Sequence, residues 1–187
     1  MKTVFFYIAV AILGITVSVA ANAMKFVVAD DGPVNAYFAG GSASYTSYMS
    51  TIIGGVTRFE GFNNQTSDIG DFRSYGEHKA GTNVEAVLYN LSTNDNWYSD
   101  IGKNSDGFNH VFASQFSLPG GGSAVFVGFE DIRGLGDRDF NDAMAIFTNI
   151  EIAPIPEPST YLMLLAGLLL VYLSRKRSIG GSGIKPN

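Results

Sequence analysis

The chain has 187 residues, room for one ordinary domain plus terminal segments. Its 12 Lys and Arg stand against 17 Asp and Glu, and a formal net charge of -5 excludes the basic face of a nucleic-acid binder. Hydrophobic residues make up 46% of it, with 14 Phe and 9 Tyr, so a core is affordable; the absence of cysteine removes disulfides, thiolate metal sites and cysteine nucleophiles together.

Residues 1–23 read as a secretory signal peptide. Lys2 is the positive n-region, Val4 to Val19 is an uncharged apolar run, and Ala21 and Ala23 are the small residues signal peptidase accepts at −3 and −1. The mature chain then begins at Met24, the alternative being a retained N-terminal anchor.

From residue 24 to 153 the hydrophobic period is two rather than 3.6. The spacing predicts strands over 25–29, 34–38, 42–49, 56–62, 82–91, 109–116, 123–129 and 143–152, rich in β-branched and aromatic residues. Turn signals divide them, among them Asp31-Gly32-Pro33, Gly54-Gly55, Asn63-Asn64, Asp106-Gly107 and Pro119-Gly120. The expected fold is all-β, an antiparallel two-sheet β-sandwich of jelly-roll-like form.

Between the strands at 123–129 and 143–152 lies an acidic loop, residues 130–142. Glu130, Asp131, Asp137, Asp139 and Asp142 put five carboxylates there, with the Asn141 amide oxygen, against Arg133 and Arg138. Carboxylates about 4 Å apart repel by roughly 1 kcal/mol per pair even in water. A hard cation that takes 6–8 oxygens at about 2.3–2.6 Å offsets this, and Ca2+ is the extracellular choice. Asp137, Asp139 and Asn141 repeat the opening spacing of an EF-hand loop, but no twelfth-position glutamate follows in register. The alternative is a solvated loop in which Arg133 and Arg138 pair with neighbouring carboxylates.

Other candidates are weaker. Trp97 and Tyr98 offer a glycan-stacking platform for matrix polysaccharide, or else pack in the sandwich. His110 is a possible ligand or base but fits a structural role better, and His78 sits in a polar stretch. The chain has no His-Glu-x-x-His, no Gly-x-Ser-x-Gly and no phosphate loop, and its acids share one loop instead of facing across a cleft. No catalytic residue is expected.

Residues 154–158 form a proline-rich linker, with Pro156, Glu157 and Pro158. An uncharged apolar helix over 159–174 follows, then Arg175, Lys176 and Arg177 in a tail running to residue 187. Such a helix reaches about 25 Å, near the ~30 Å of a hydrocarbon core, and reads as a single transmembrane span with local thinning of the bilayer. The basic cluster stays cytoplasmic by the positive-inside rule, leaving 24–157 outside. That exported part holds seven basic and seventeen acidic residues, a net charge of −10.

This three-part end resembles the PEP-CTERM sorting signal of Gram-negative bacteria over roughly 154–177, with an unusual extension from Ser178 to Asn187. The resemblance implies processing near Pro-Glu-Pro by an exosortase, a membrane-embedded cysteine transpeptidase, after transient residence in the inner membrane. Delivery to the cell surface or exopolysaccharide matrix follows. Residues 126–147, FVGFEDIRGLGDRDFNDAMAIF, resemble the acidic hallmark of a domain-of-unknown-function family on bacterial surface proteins and adhesins. Asn104 to His110 extends the resemblance upstream, although Ser105 replaces the family's proline. It implies a β-rich, calcium-dependent, non-catalytic module. Glu130, Asp131, Asp137, Asp139, Asn141 and Asp142 are its acidic motif, and Asp106 is counted with the candidate metal oxygens. The expected function is a non-enzymatic, calcium-stabilised exported protein of the surface or matrix, the alternative a carbohydrate-binding module.

Overall fold

The structure is a computed structural model that describes residues 24–153 and 163–172. The expected signal peptide with Ala21 and Ala23, the linker with Pro156, Glu157 and Pro158, and the cluster Arg175, Lys176 and Arg177 lie outside the described residues.

Residues 24–153 fold as two packed antiparallel sheets. The strands are β1 (Phe26–Val28), β2 (Gly32–Gly40), β3 (Ser47–Ile53), β4 (Val56–Asn63), β5 (Phe72–His78), β6 (Asn83–Asn90), β7 (Asn96–Tyr98), β8 (Val111–Ser117), β9 (Ser123–Phe129), β10 (Ala143–Thr148) and β11 (Ile150–Ile152), with one 3-10 turn at Ile101–Lys103. Sheet one has the order β11-β1-β6-β3-β4, and β7 also pairs with β6; sheet two has the order β5-β2-β10-β9-β8. The period-two pattern does its expected work: β2 sends Val34, Ala36 and Phe38 inward and leaves Tyr37 exposed. The core between the sheets includes Phe26, Phe38, Met49, Phe62, Leu88, Trp97, Val127, Phe129 and Phe147.

Three elements differ from expectation. The run 143–152 is two strands in different sheets, because Asn149 takes a left-handed turn (φ 60°) between them. Its side chain holds the corner, accepting from the Asp30 amide (3.0 Å) and donating to the Asp30 carbonyl (2.9 Å). Asparagine tolerates this region because its short side chain bonds locally. β5 lies in a stretch that reads as polar loop, since Tyr75 alone of its seven residues is buried. β7 is a three-residue strand attached to the end of β6, with Trp97 opposite Leu88.

The helix at 163–172 belongs to a separate unit and is exposed along its length. Its ten residues rise about 15 Å, half a bilayer core. Among the described residues no helix is long and apolar enough to cross a membrane, so the expected span over 159–174 is not seen as one.

Candidate metal centre

β9 and β10 are neighbours in register, with Phe129 opposite Ala143, so the loop 130–142 closes over the ends of two central strands. Its mouth is clamped by residues the acidic motif includes. The Asp131 amide donates to Asp142 Oδ2 (2.8 Å), and the Asp142 amide donates to the Phe129 carbonyl (3.1 Å). The Asp131 carbonyl accepts from Trp97 Nε1 and Asn90 Nδ2, both at 2.9 Å, and its carboxylate accepts from Ser47 Oγ (3.0 Å). Asn64 Nδ2 reaches the Asp142 carbonyl (3.2 Å). Asp131 and Asp142 are buried, and that burial raises both carboxyl groups above their ordinary range. They are fasteners of the loop.

Asp106 is also a fastener, which corrects its place among the metal oxygens. It accepts from the Gly134 amide (2.9 Å), the Phe108 amide (3.0 Å) and His110 Nε2 (2.9 Å). Burial pushes this carboxyl up, but the two amides and the ring outweigh it and hold it below the usual range. His110 is fully buried, its Nδ1 lies 2.7 Å from the Glu130 carbonyl, and its own carbonyl accepts from the Glu130 amide (3.0 Å). Its ring stacks on Trp97, centroids 3.8 Å apart and planes 6° apart, with the Arg133 guanidinium 5.7 Å from the Trp97 centroid. Arg133 in turn binds Asp95 (2.6 Å) and Ser105 (3.1 Å).

Burial overturns the glycan-platform reading for Trp97, while Tyr98 keeps part of its surface exposed. Trp97 is fully buried, its ring carries the loop, and the half-buried Tyr98 lies under Lys103 Nζ, 5.6 Å from its centroid. His78 ends β5, its Nε2 3.1 Å from the Tyr75 carbonyl.

What the clamp presents is a cluster of three carboxylates. Glu130, Asp137 and Asp139 each offer an oxygen within 4.8 Å of the others. Asp137 and Asp139 are exposed, whereas Glu130 is 1% exposed and neither of its buried oxygens has a partner within hydrogen-bond geometry. Burial, then the charges of Asp142, Asp137 and Asp139, push Glu130 up to about 7, against a weaker pull from the nearby Phe140 amide. Asn141 donates to Asp139 through Nδ2, and its buried Oδ1 is unpartnered too. Gly136 permits the approach: a Cβ there would sit 2.5 Å from Glu130 Oε1, and the backbone turns left-handed (φ 35°). Leu135, Arg138 and Phe140 also take positive φ, at about 1 kcal/mol or more each.

Two oxygens bound to one Ca2+ at about 2.4 Å can be at most roughly 4.8 Å apart. The spacing of the three carboxylates and the all-oxygen donor set therefore fit a hard cation. The sequence flagged all three, but it gave no sign that Glu130 is buried while Asp137 and Asp139 face solvent. Ser47, Asn64 and Asn90 were invisible as clamps because their partners lie 41 to 84 positions away along the chain.

The fold and site thus define an all-β sandwich with a clamped acidic loop between neighbouring strands. The domain of unknown function DUF4114 is detected over residues 78–148, and the PEP-CTERM protein-sorting motif over 154–178. The motif implies an exported protein sorted by an exosortase. No curated protein matches the sequence. Among solved structures, the Chromobacterium violaceum lectin CV2L, in complex with alpha-methyl-fucoside, matches at 17% identity and a TM-score of 0.48, over 73% of this chain and 100% of the lectin. The Ralstonia solanacearum high-affinity mannose-binding lectin matches at 18% identity and 0.42, with the same shares.

Proposed function

We propose that the sandwich is a non-enzymatic module of the cell surface or extracellular matrix, whose acidic loop is set by Ca2+ after export. The observation that carries this reading is the Glu130 carboxylate, buried without a partner between Asp137 and Asp139. An unpaired buried charge is costly, and a cation supplied outside the cell offsets it. Glu130, Asp137, Asp139 and the Asn141 amide oxygen would hold the ion, which would join the two halves of the loop. In a chain without cysteine, a metal takes the stapling role that disulfides fill in other exported domains. Before sorting, the segment 159–174 would hold the precursor in the inner membrane, with Arg175 to Arg177 inside.

The carboxylates lie in one loop, which favours binding over glycoside hydrolysis. A carbohydrate-binding module loses its first platform with Trp97 buried. The test is the melting temperature of the purified protein with Ca2+ and with chelator. A rise of about 5–10 °C is expected for about 2–3 kcal/mol of ligand stabilisation. No shift at millimolar Ca2+ would refute the reading.

A further inference from the structure

Sheet one has a gap along β6. β1 pairs with that strand only as far as Phe26 opposite Val84, and β7 takes up the same edge at Tyr98 opposite Val87. At Ala86, between them, Ser99 fills in, its amide donating to the Ala86 carbonyl (2.9 Å) and its Oγ accepting from the Ala86 amide (3.1 Å). The gap opens as a notch of about 290 Å³ lined by Met24, Lys25, Glu85, Ser99, Asp100 and Lys103. Glu85 is 7% exposed. Its Oε2 takes Lys103 Nζ at 2.6 Å, whereas its Oε1 is closed to water and has no hydrogen-bond partner. A buried carboxylate oxygen without a donor is costly. A molecule from solution does not reach an oxygen with no accessible surface, so the donor belongs to the wall itself. Lys103 is already committed to Oε2, with the Tyr98 ring 5.6 Å beneath it. Asp100 accepts from the Gly102 amide (3.0 Å) and offers no proton. Lys25 is exposed and makes no ion pair among the described residues. Met24 remains, and its side chain packs against the core, which fixes its backbone at the notch.

We infer that this notch binds the chain's own new amino terminus: the α-ammonium of Met24, freed by signal peptidase, pairs with the Glu85 carboxylate. Hydrolysis of the Ala23–Met24 bond, with water as co-reactant, leaves a carboxylate on Ala23 and an amine on Met24 that takes up a proton at neutral pH. One neutral amide donor thereby becomes a charged group with three, beside an acceptor that lacks one. The charged groups facing it are Glu85 and Asp100, with Lys25 and Lys103 opposing them. Cleavage would thus tie down the start of β1, the strand that carries β11 at the edge of the sheet. The inference rests on the export reading, with cleavage after Ala23, and not on the metal reading.

The test uses the exported, processed chain in mild detergent. Its intact mass should show a chain that begins at Met24; any other start overturns the inference together with the cleavage site on which it rests. The amine of a chain that does begin there is then titrated, by acylation rate against pH read on the N-terminal peptide. A free α-amine has a pKa of about 8, and one paired with Glu85 should hold its proton about tenfold or more tightly. Glu85→Gln should return it to the ordinary range. An alanine inserted ahead of Met24 sets the amine about 3.4 Å further out and should do the same with Glu85 and Lys103 intact, so the result does not depend on the Gln variant folding. Lys25→Met should leave the tight proton in place. An ordinary titration in the parent chain overturns the inference while the cleavage site stands. So does a raised one that survives both the Gln variant and the insertion, or one that is lost with Lys25.

Discussion

Two sets of carboxylates share one loop of thirteen residues and do opposite things. Asp131 and Asp142, with Asp106 from outside the loop, each accept hydrogen bonds from named donors and tie the loop to Ser47, to His110 and to its own base. Glu130, Asp137 and Asp139 each bring an oxygen within 4.8 Å of the others, and the buried Glu130 carboxylate has only the weak pull of the Phe140 amide against them. Charge does not distinguish the buried members of the two sets, Asp131 and Asp142 against Glu130; the supply of donors does, while the exposed Asp139 takes its donors from Asn141 beside it. A buried acid with amide and hydroxyl partners is part of the scaffold, and a buried acid without them is waiting for something positive.

The scaffold side of this comparison should break hardest. Trp97→Ala removes a fully buried ring, its bond to the Asp131 carbonyl and the surface on which His110 stacks. A loss of about 3–5 kcal/mol is expected in denaturant unfolding, with or without Ca2+. The cluster side should respond with the opposite sign. In chelator, Glu130 keeps its proton up to about 7 in the folded state, against an ordinary 4.5. The unfolded chain then binds fewer protons between those values, so the metal-free protein should lose stability as pH rises from about 4.5 to about 7. The upper bound from this group is about 3 kcal/mol, and Asp131 and Asp142, also raised, act in the same direction. Glu130→Gln should flatten the profile and stabilise the metal-free protein at pH 8, while abolishing its response to Ca2+. A steep profile retained in that variant would move the effect to the scaffold acids.

Next in size, Asp137→Asn with Asp139→Asn should leave the metal-free melting temperature within a few degrees of the parent and erase the calcium shift of about 2–3 kcal/mol. A variant that melts far lower without metal would make these residues scaffold after all. The smallest effect is expected from Gly136→Ala, at about 1 kcal/mol for the left-handed backbone. Its added Cβ also displaces Glu130 Oε1, so calorimetry should show weaker Ca2+ binding out of proportion to the stability lost.

The sandwich was legible because β2 and β10 alternate faithfully, and the loop because its acids are dense. β5 was not, since an edge strand with one buried residue has no pattern to read. Nor was the break at Asn149, because a corner that passes the chain between sheets preserves the alternation on both sides of it. The roles within the acidic motif were hidden for a different reason. Asp131 and Glu130 are neighbours of like chemistry, and what separates them is whether distant Ser47, Asn90 and Trp97 happen to arrive.

One feature of the topology bears on how the domain carries tension. β1 and β11 are paired, Phe26 opposite Ile152, and both lie at the Asn83–Val84 end of β6, whereas the acidic loop meets that strand at Asn90. A tug on the chain beyond residue 153 is therefore borne first by three residues of an outermost strand and then by the Asn149 corner. Under drag, the fold would fray there while the acidic loop, some eight residues along β6, stayed slack.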